Sequence, residues 1–159
     1  MNYWLMKSEL SSYSIDELKR DKKTSWEGVR NYQARNFMRD QMRVGDLVLF
    51  YHSNAEPPGV AGIAKVCKLA HPDRTAWEPK SKYYDAKASP QNPIWMMVDI
   101  EFVEKFPHFI SLEELKKTKS LESMRVLQKG SRLSVQPVSK EHFQIIEKLG
   151  INSCVPGTT

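Results

Sequence analysis

Between Ile94 and Phe102 apolar side chains recur at every second position (Ile94, Met96, Val98, Ile100, Phe102), and no other pattern constrains the fold as tightly. Period two puts such residues on one face of a β-strand, where a covering layer must shield them from water. A central strand is expected here. Other runs supply its neighbours: Tyr3 to Lys7, Leu47 to Tyr51, and Gly59 through Leu69, the last two read as a hairpin about the Asn54 to Pro58 turn. Leu133-Ser134-Val135-Gln136 alternates apolar with polar residues before Pro137, which ends or edges a strand.

Helices are announced by their ends. Ser14 with Glu17, and Ser111 with Glu114, have capping-box spacing, with Tyr13 and Leu18, and Ile110 and Leu115, placed as hydrophobic staples. The charged stretch Arg20 to Lys23 reads as a turn. Trp26 to Asn31 then reads as a tight loop with Gly28 inside it and Asn31 at a helix N-cap. The helix Tyr32 to Met42 should bury Ala34, Phe37, Met38 and Met42 and carry Arg35, Arg39 and Arg43 as a basic stripe. A last helix from about Ser139 to Leu149 should stop at Gly150, leaving a flexible tail over 151–159 after one domain over 1–150. The segment His71 to Pro93 carries four prolines but also Trp77, Tyr83 and Tyr84, aromatics that must pack on the body or on a ligand. Short strands separated by capped helices, without βαβ alternation, describe a small barrel decorated with helices.

At 159 residues and 40% hydrophobic composition, one core suffices without a metal or disulfide staple. Cys67 and Cys154 form no disulfide framework, and the four histidines lack metal-ligand spacing, so neither metal nor cofactor is expected. No run reaches the ~20 apolar residues of a membrane helix, and the opening residues lack the pattern of a secretory signal. A cytoplasmic protein is expected, nuclear in a eukaryote, monomeric and off the membrane. The net charge of +5 favours an anionic partner without naming one.

Four motifs, Trp4-Leu5-Met6-Lys7-Ser8-Glu9, Trp26 through Asn36, Phe50-Tyr51-His52-Ser53 and Arg132 through Pro137, occur in an order that resembles the EVE domain, in its thymocyte nuclear protein branch. The similarity runs from about Asn2 to Leu149. Leu10 departs from it, standing where the family has proline. The resemblance implies an α+β, mainly β fold, a PUA-like mixed β-barrel (pseudobarrel) with short helices, related to the YTH readers. It further implies a non-enzymatic domain holding a flipped or single-stranded modified base, a methylated or hydroxymethylated cytosine, in an aromatic pocket. DNA is the favoured partner and RNA the alternative.

Residue chemistry nominates the pocket. Trp26, in a glycine-containing turn with Val29, is a pocket wall or a core tryptophan. Asn31 offers a base edge a donor and an acceptor, or caps its helix; Tyr32 stacks on a base or packs in the core. Lys7, Ser8 and Glu9 end an apolar strand in three polar residues, as a barrel rim or a solvated strand end would. Tyr51, His52 and Ser53 do the same, with His52 equally at home as a structural histidine. Trp77, Tyr84 and Asp85 are placed to close the pocket from the long loop, and Ser134 and Gln136 to lie near its floor. Arg30, Arg35 and Arg39 read as a phosphate track or as a solvated face. An RNA-binding module and a small-metabolite pocket are the competing functions. A hydrolase or nuclease built from Lys7, Glu9, His52 and Asp85 is disfavoured, for no catalytic fingerprint accompanies them.

Overall fold

The computed structural model describes residues 1–9, 11–128 and 133–152. Its six strands are β1 Tyr3–Glu9, β2 Lys23–Ser25, β3 Leu47–Ser53, β4 Gly59–Pro72, β5 Met96–Ser111 and β6 Val135–Val138. They form one mixed sheet in the order β2-β5-β4-β3-β1-β6. β1 runs parallel to β3, with Ser8 opposite His52, and every other pairing is antiparallel. The helices are α1 Ile15–Asp21, α2 Tyr32–Asn36, α3 Leu112–Lys117 and α4 Lys140–Asn152. The architecture is α+β and mainly β, a PUA-like pseudobarrel.

Both faces of the sheet are buried, which is why β1 and β3 read as nearly continuous apolar runs. Trp4, Met6, Val48, Phe50, Val98 and Ile100 share one core with Ile15 and Leu18 of α1. Their strand neighbours Leu5 and Leu49 point the other way, into a second core closed by Phe106 and by Phe143 and Ile146 of α4. Buried Asp46 ties the start of the chain to the first core, accepting from Trp4 Nε1 at 3.0 Å, Asn2 N at 3.0 Å and Arg43 N at 2.9 Å.

The Ser14 capping box forms in both directions. At Ser111 half of the expected box forms: the hydroxyl accepts from Glu114 N at 3.1 Å, while the Glu114 carboxylate meets His108 Nε2 at 2.7 Å. Lys23, expected in a turn, begins β2, a three-residue polar strand too short for periodicity to reveal. The long strand starts at Met96 and runs far past Phe102, one position in from the sheet edge rather than at its centre. Ile94 lies outside it, in the left-handed region at φ 56°. It packs with Trp77 against Ala76, Ala88 and Trp95 in a third small cluster, so the body claims Trp77.

The helix expected over Tyr32 to Met42 is broken into α2 and a π-helical turn, Phe37–Gln41, which still buries Ala34, Met38 and Met42. Pro137 sits in the edge strand β6, where its missing N–H is tolerated. Gly150 does not stop the last helix: α4 continues to Asn152. A Cβ at Gly150 would lie 2.4 Å from the Phe106 ring, so close packing explains the glycine. Leu10, Arg132, Cys154 and most of the expected tail lie outside the described residues. No helix among those described is long and apolar enough to cross a membrane.

Candidate functional site

A cavity of about 1090 Å³ opens between the end of β1, the Trp26 to Arg30 turn and Lys82-Tyr83 of the long loop. Its floor follows from backbone pairing. Trp26 N–H donates to Val98 O at 2.7 Å, carrying the β2–β5 ladder one residue further and turning the indole inward. The ring packs edge-on against Phe50, centroids 5.5 Å apart, and remains 8% exposed. Trp26 is both core and cavity floor.

The chain then turns through Gly28 at φ 86°, a left-handed conformation glycine adopts without a Cβ penalty. A Cβ there would lie 2.5 Å from the Tyr83 ring, so the glycine also admits that ring against the turn. Fully buried Asp73 joins turn to loop. It accepts from Gly28 N at 2.8 Å, Arg30 Nη1 at 3.0 Å and the Thr75 hydroxyl at 2.6 Å. Burial pushes the Asp73 carboxyl up, but these donors outweigh it and hold it below the usual carboxylate range. Arg30 also donates to Tyr83 O at 2.9 Å and Thr75 Oγ1 at 3.2 Å. It lines the cavity as a strut already bound to a carboxylate.

The rim is rich in hydroxyls. Ser8 Oγ donates to Tyr13 O at 2.6 Å, Ser25 Oγ to Asp99 Oδ1 at 2.7 Å, and Ser134 O accepts from Lys7 N at 2.8 Å. The Tyr13 phenol, pushed up to about 12 by burial and then by its bond to Asp21, stays protonated. Glu9 and Glu27 add carboxylates, Glu27 held above its ordinary value by partial burial and then by Asp73 and Glu78. Lys82 Nζ reaches 3.4 Å from Ser12 Oγ and 5.1 Å from the Tyr83 centroid. Such a cavity suits a planar ligand with donors and acceptors on its edge and an anionic attachment.

Of the residues nominated from the sequence, Lys7, Ser8, Glu9, Trp26, Val29, Arg30 and Ser134 line this cavity. The Lys7 ammonium, however, lies 5.8 Å from the Tyr51 centroid, on the opposite side of β1 from Ser8. The remaining nominees lie elsewhere. Asn31 caps α2, its Oδ1 accepting from Ala34 N at 2.9 Å, and Tyr32 stacks on Trp95 at 4.7 Å. Tyr51 is buried in the second core, and Ser53 ends β3 beside Glu9 without lining the cavity. His52 is buried, with Nε2 accepting from Ile15 N at 3.1 Å; burial depresses its basicity.

Trp77 packs in the third cluster. Asp85 is engaged by Trp95 Nε1 at 2.8 Å, and Tyr84 is exposed outside the cavity. Gln136 is buried opposite the first core, donating to Leu133 O at 2.7 Å. Arg35 lies beside the Tyr32–Trp95 pair, 4.8 Å from the Tyr32 centroid, and Arg39 pairs with Asp40 at 2.8 Å on the surface, so no phosphate track borders the cavity along this helix. Conversely, Tyr13, Ser25, Glu27, Lys82 and Tyr83 line the cavity without having been nominated. A paired glycine and tyrosine could have been sought; nothing in the polar run Thr24-Ser25 marked it. Among the described residues no three His, Cys, Asp or Glu are placed to hold a metal ion.

Comparison with known proteins adds independent observations. The EVE domain family model matches residues 2–149. Thymocyte nuclear protein 1 of mouse is 43% identical over 93% of this chain and 73% of its own length. A crystal structure of a Pseudomonas syringae protein superposes with a TM-score of 0.90 at 50% identity, covering 94% of this chain and 99% of that one. The human THYN1 protein, solved in complex with DNA containing 5-methylcytosine, superposes with a TM-score of 0.86 at 41% identity, over 94% and 98% of the two chains.

Proposed function

Because this chain belongs to the EVE domain family, we propose that it binds DNA without turnover, receiving a modified cytosine, methylated or hydroxymethylated, out of its strand into the cavity above Trp26. The observation that carries this reading is a juxtaposition: the polar end of β1 at Ser8 and Glu9, the Trp26 floor, and the Tyr83 ring seated on Gly28 share one concave site. The human relative solved with 5-methylcytosine DNA supports the choice of ligand.

Unstacking a base costs a few kcal/mol, and stacking returns about 1–3 kcal/mol per aromatic platform. With Trp26 only 8% exposed, Tyr83 and Tyr13 supply most of that platform. Trp26 and Val29 offer apolar contact to a 5-methyl group, Glu9 or Glu27 accepts from the exocyclic amine, and Lys82 meets the phosphate. The Ser8 hydroxyl is committed to a backbone carbonyl and His52 Nε2 to a backbone N–H. Neither is free to act as nucleophile or base.

The test is a titration of short DNA and RNA oligomers bearing cytosine, 5-methylcytosine or 5-hydroxymethylcytosine at two salt concentrations. Preference for a modified DNA oligomer, with affinity falling steeply as salt rises, is expected. Equal affinity for plain and modified cytosine would overturn the reading. Preference for RNA would redirect it to the RNA-binding alternative, and indifference to salt to a free metabolite.

A further inference from the structure

Tyr32, displaced from the cavity, ends a second construction. The Arg30 guanidinium lies 5.6 Å from the Tyr83 centroid and 5.5 Å from that of Trp95. Trp95 in turn stacks on Tyr32 at 4.7 Å and 29°. Rings and guanidinium therefore form a continuous series leading from a cavity wall to the surface. Its inner members are fixed: Trp95 is 4% exposed and its Nε1 is bound to Asp85, while Arg30 is bound to Asp73. Tyr32, at the outer end, is 56% exposed.

Trp95 stacks on one face of Tyr32, and the residue stays more than half exposed. Arg35 lies 4.8 Å from the Tyr32 centroid and 5.9 Å from that of Trp95. Were it over the outer face, it would be separated from Trp95 by both stacking distances and lie well beyond 5.9 Å. It therefore flanks the pair. Its hydrogen bonds go to neutral acceptors, Ile94 O at 2.9 Å and Asn36 Oδ1 at 2.8 Å, which hold the guanidinium in place without an ion pair; Asp40, whose carboxylate feels its charge, is itself paired with Arg39. Ile94, which supplies one acceptor, is β-branched and held at φ 56°, a costly conformation for such a residue. Local strain is thus spent presenting Trp95 and anchoring Arg35 beside an exposed ring.

We infer that Tyr32 and Arg35 form a second nucleotide subsite, separate from the cavity: a neighbouring base of the bound strand stacks on the outer face of Tyr32 while its phosphate meets Arg35. The inference rests on the cavity being the modified-base site, and it adds that recognition spans more than one nucleotide. Stacking is tolerant of base identity because every base has a π-face, so this subsite contributes affinity and register rather than sequence preference.

An abasic-site scan tests it. Single-stranded DNA oligomers carrying one 5-methylcytosine receive an abasic residue at each flanking position in turn, and are titrated against the wild-type protein, Tyr32→Phe and Tyr32→Ala. The wild type and Tyr32→Phe should lose about tenfold in affinity at one flanking position. Tyr32→Ala should bind the intact oligomer about tenfold more weakly and be indifferent to the abasic residue there, with its preference for 5-methylcytosine over cytosine unchanged. Identical scans for wild type and Tyr32→Ala would overturn the subsite and leave the cavity reading standing. Loss of modified-base preference in the wild type itself would overturn the cavity reading, and with it this one.

Discussion

The ends of β1 and β3 lie side by side in register, Ser8 opposite His52 and Glu9 opposite Ser53, and each follows an apolar run. Yet they meet different fates. Beyond Ser8 the strand borders the cavity, whereas His52 is sealed under α1, its ring T-shaped against Phe50 at 5.7 Å and its Nε2 taken by Ile15 N–H. A polar residue at a strand end announces that a hydrogen-bonding group needs a partner. Whether that partner is a helix N–H or a ligand depends on what the chain lays over the strand. At β3 it lays α1, whose Ile15 N–H takes the histidine; at β1 it lays the Tyr13 carbonyl, which takes the Ser8 hydroxyl, and leaves Glu9 on the cavity rim.

The contrast is broken most forcefully at Trp26, which touches Phe50 on the sealed side and the cavity on the other. Trp26→Ala should cost about 3–5 kcal/mol of stability, as expected for a buried tryptophan, and thermal unfolding measures it. Trp26→Phe should retain most of the stability and weaken modified-base binding, so that the two variants separate the core role from the floor role.

At the sealed end, His52→Ala should cost about 2–4 kcal/mol, combining a cavity with an unsatisfied Ile15 N–H, while affinity per folded molecule stays unchanged. Burial holds the His52 basicity below its ordinary value. In the window below about pH 6.5 the unfolded chain therefore takes up a proton that the native state resists. Stability from this group is complete above that pH and lost on acidification, and His52→Gln should flatten the slope seen in denaturant titrations across pH 5–7.

At the β1 end, Ser8→Ala removes one hydrogen bond from a buried hydroxyl to Tyr13 O and should cost about 0.5–1.5 kcal/mol. Its larger effect should appear in oligomer titrations, as weaker binding of the modified oligomer, because the lost bond releases the Tyr13 backbone at the cavity rim. The reverse ranking, with His52 variants losing affinity and Ser8 variants losing stability, would invert the comparison. The smallest effect is expected at Arg39, an exposed residue paired with its neighbour Asp40: Arg39→Ala should leave the thermal unfolding midpoint, the affinity and the salt slope as they were, because solvent screens such a pair.

What the sequence by itself determined lies within a few residues of chain. The Ser14 capping box, the β3–β4 hairpin and the apolar identity of Val98 and Ile100 all follow from local pattern, one turn, one hairpin or one pleat at a time. The polar β1 end and the glycine turn at Gly28 were legible for the same reason, and both line the cavity. Tertiary structure decided the rest through contacts between distant residues. Asp73 reaches back to Gly28 and Arg30, converting a nominal phosphate contact into a strut. Trp95 captures Tyr32, and Ile94 O captures Arg35, moving two nominated residues to a different surface. Local pattern specifies which groups a residue carries and which way its element faces. It does not specify the occupant of the space opposite, because that occupant is delivered by chain folded back from elsewhere, and a buried polar group binds whichever partner arrives there.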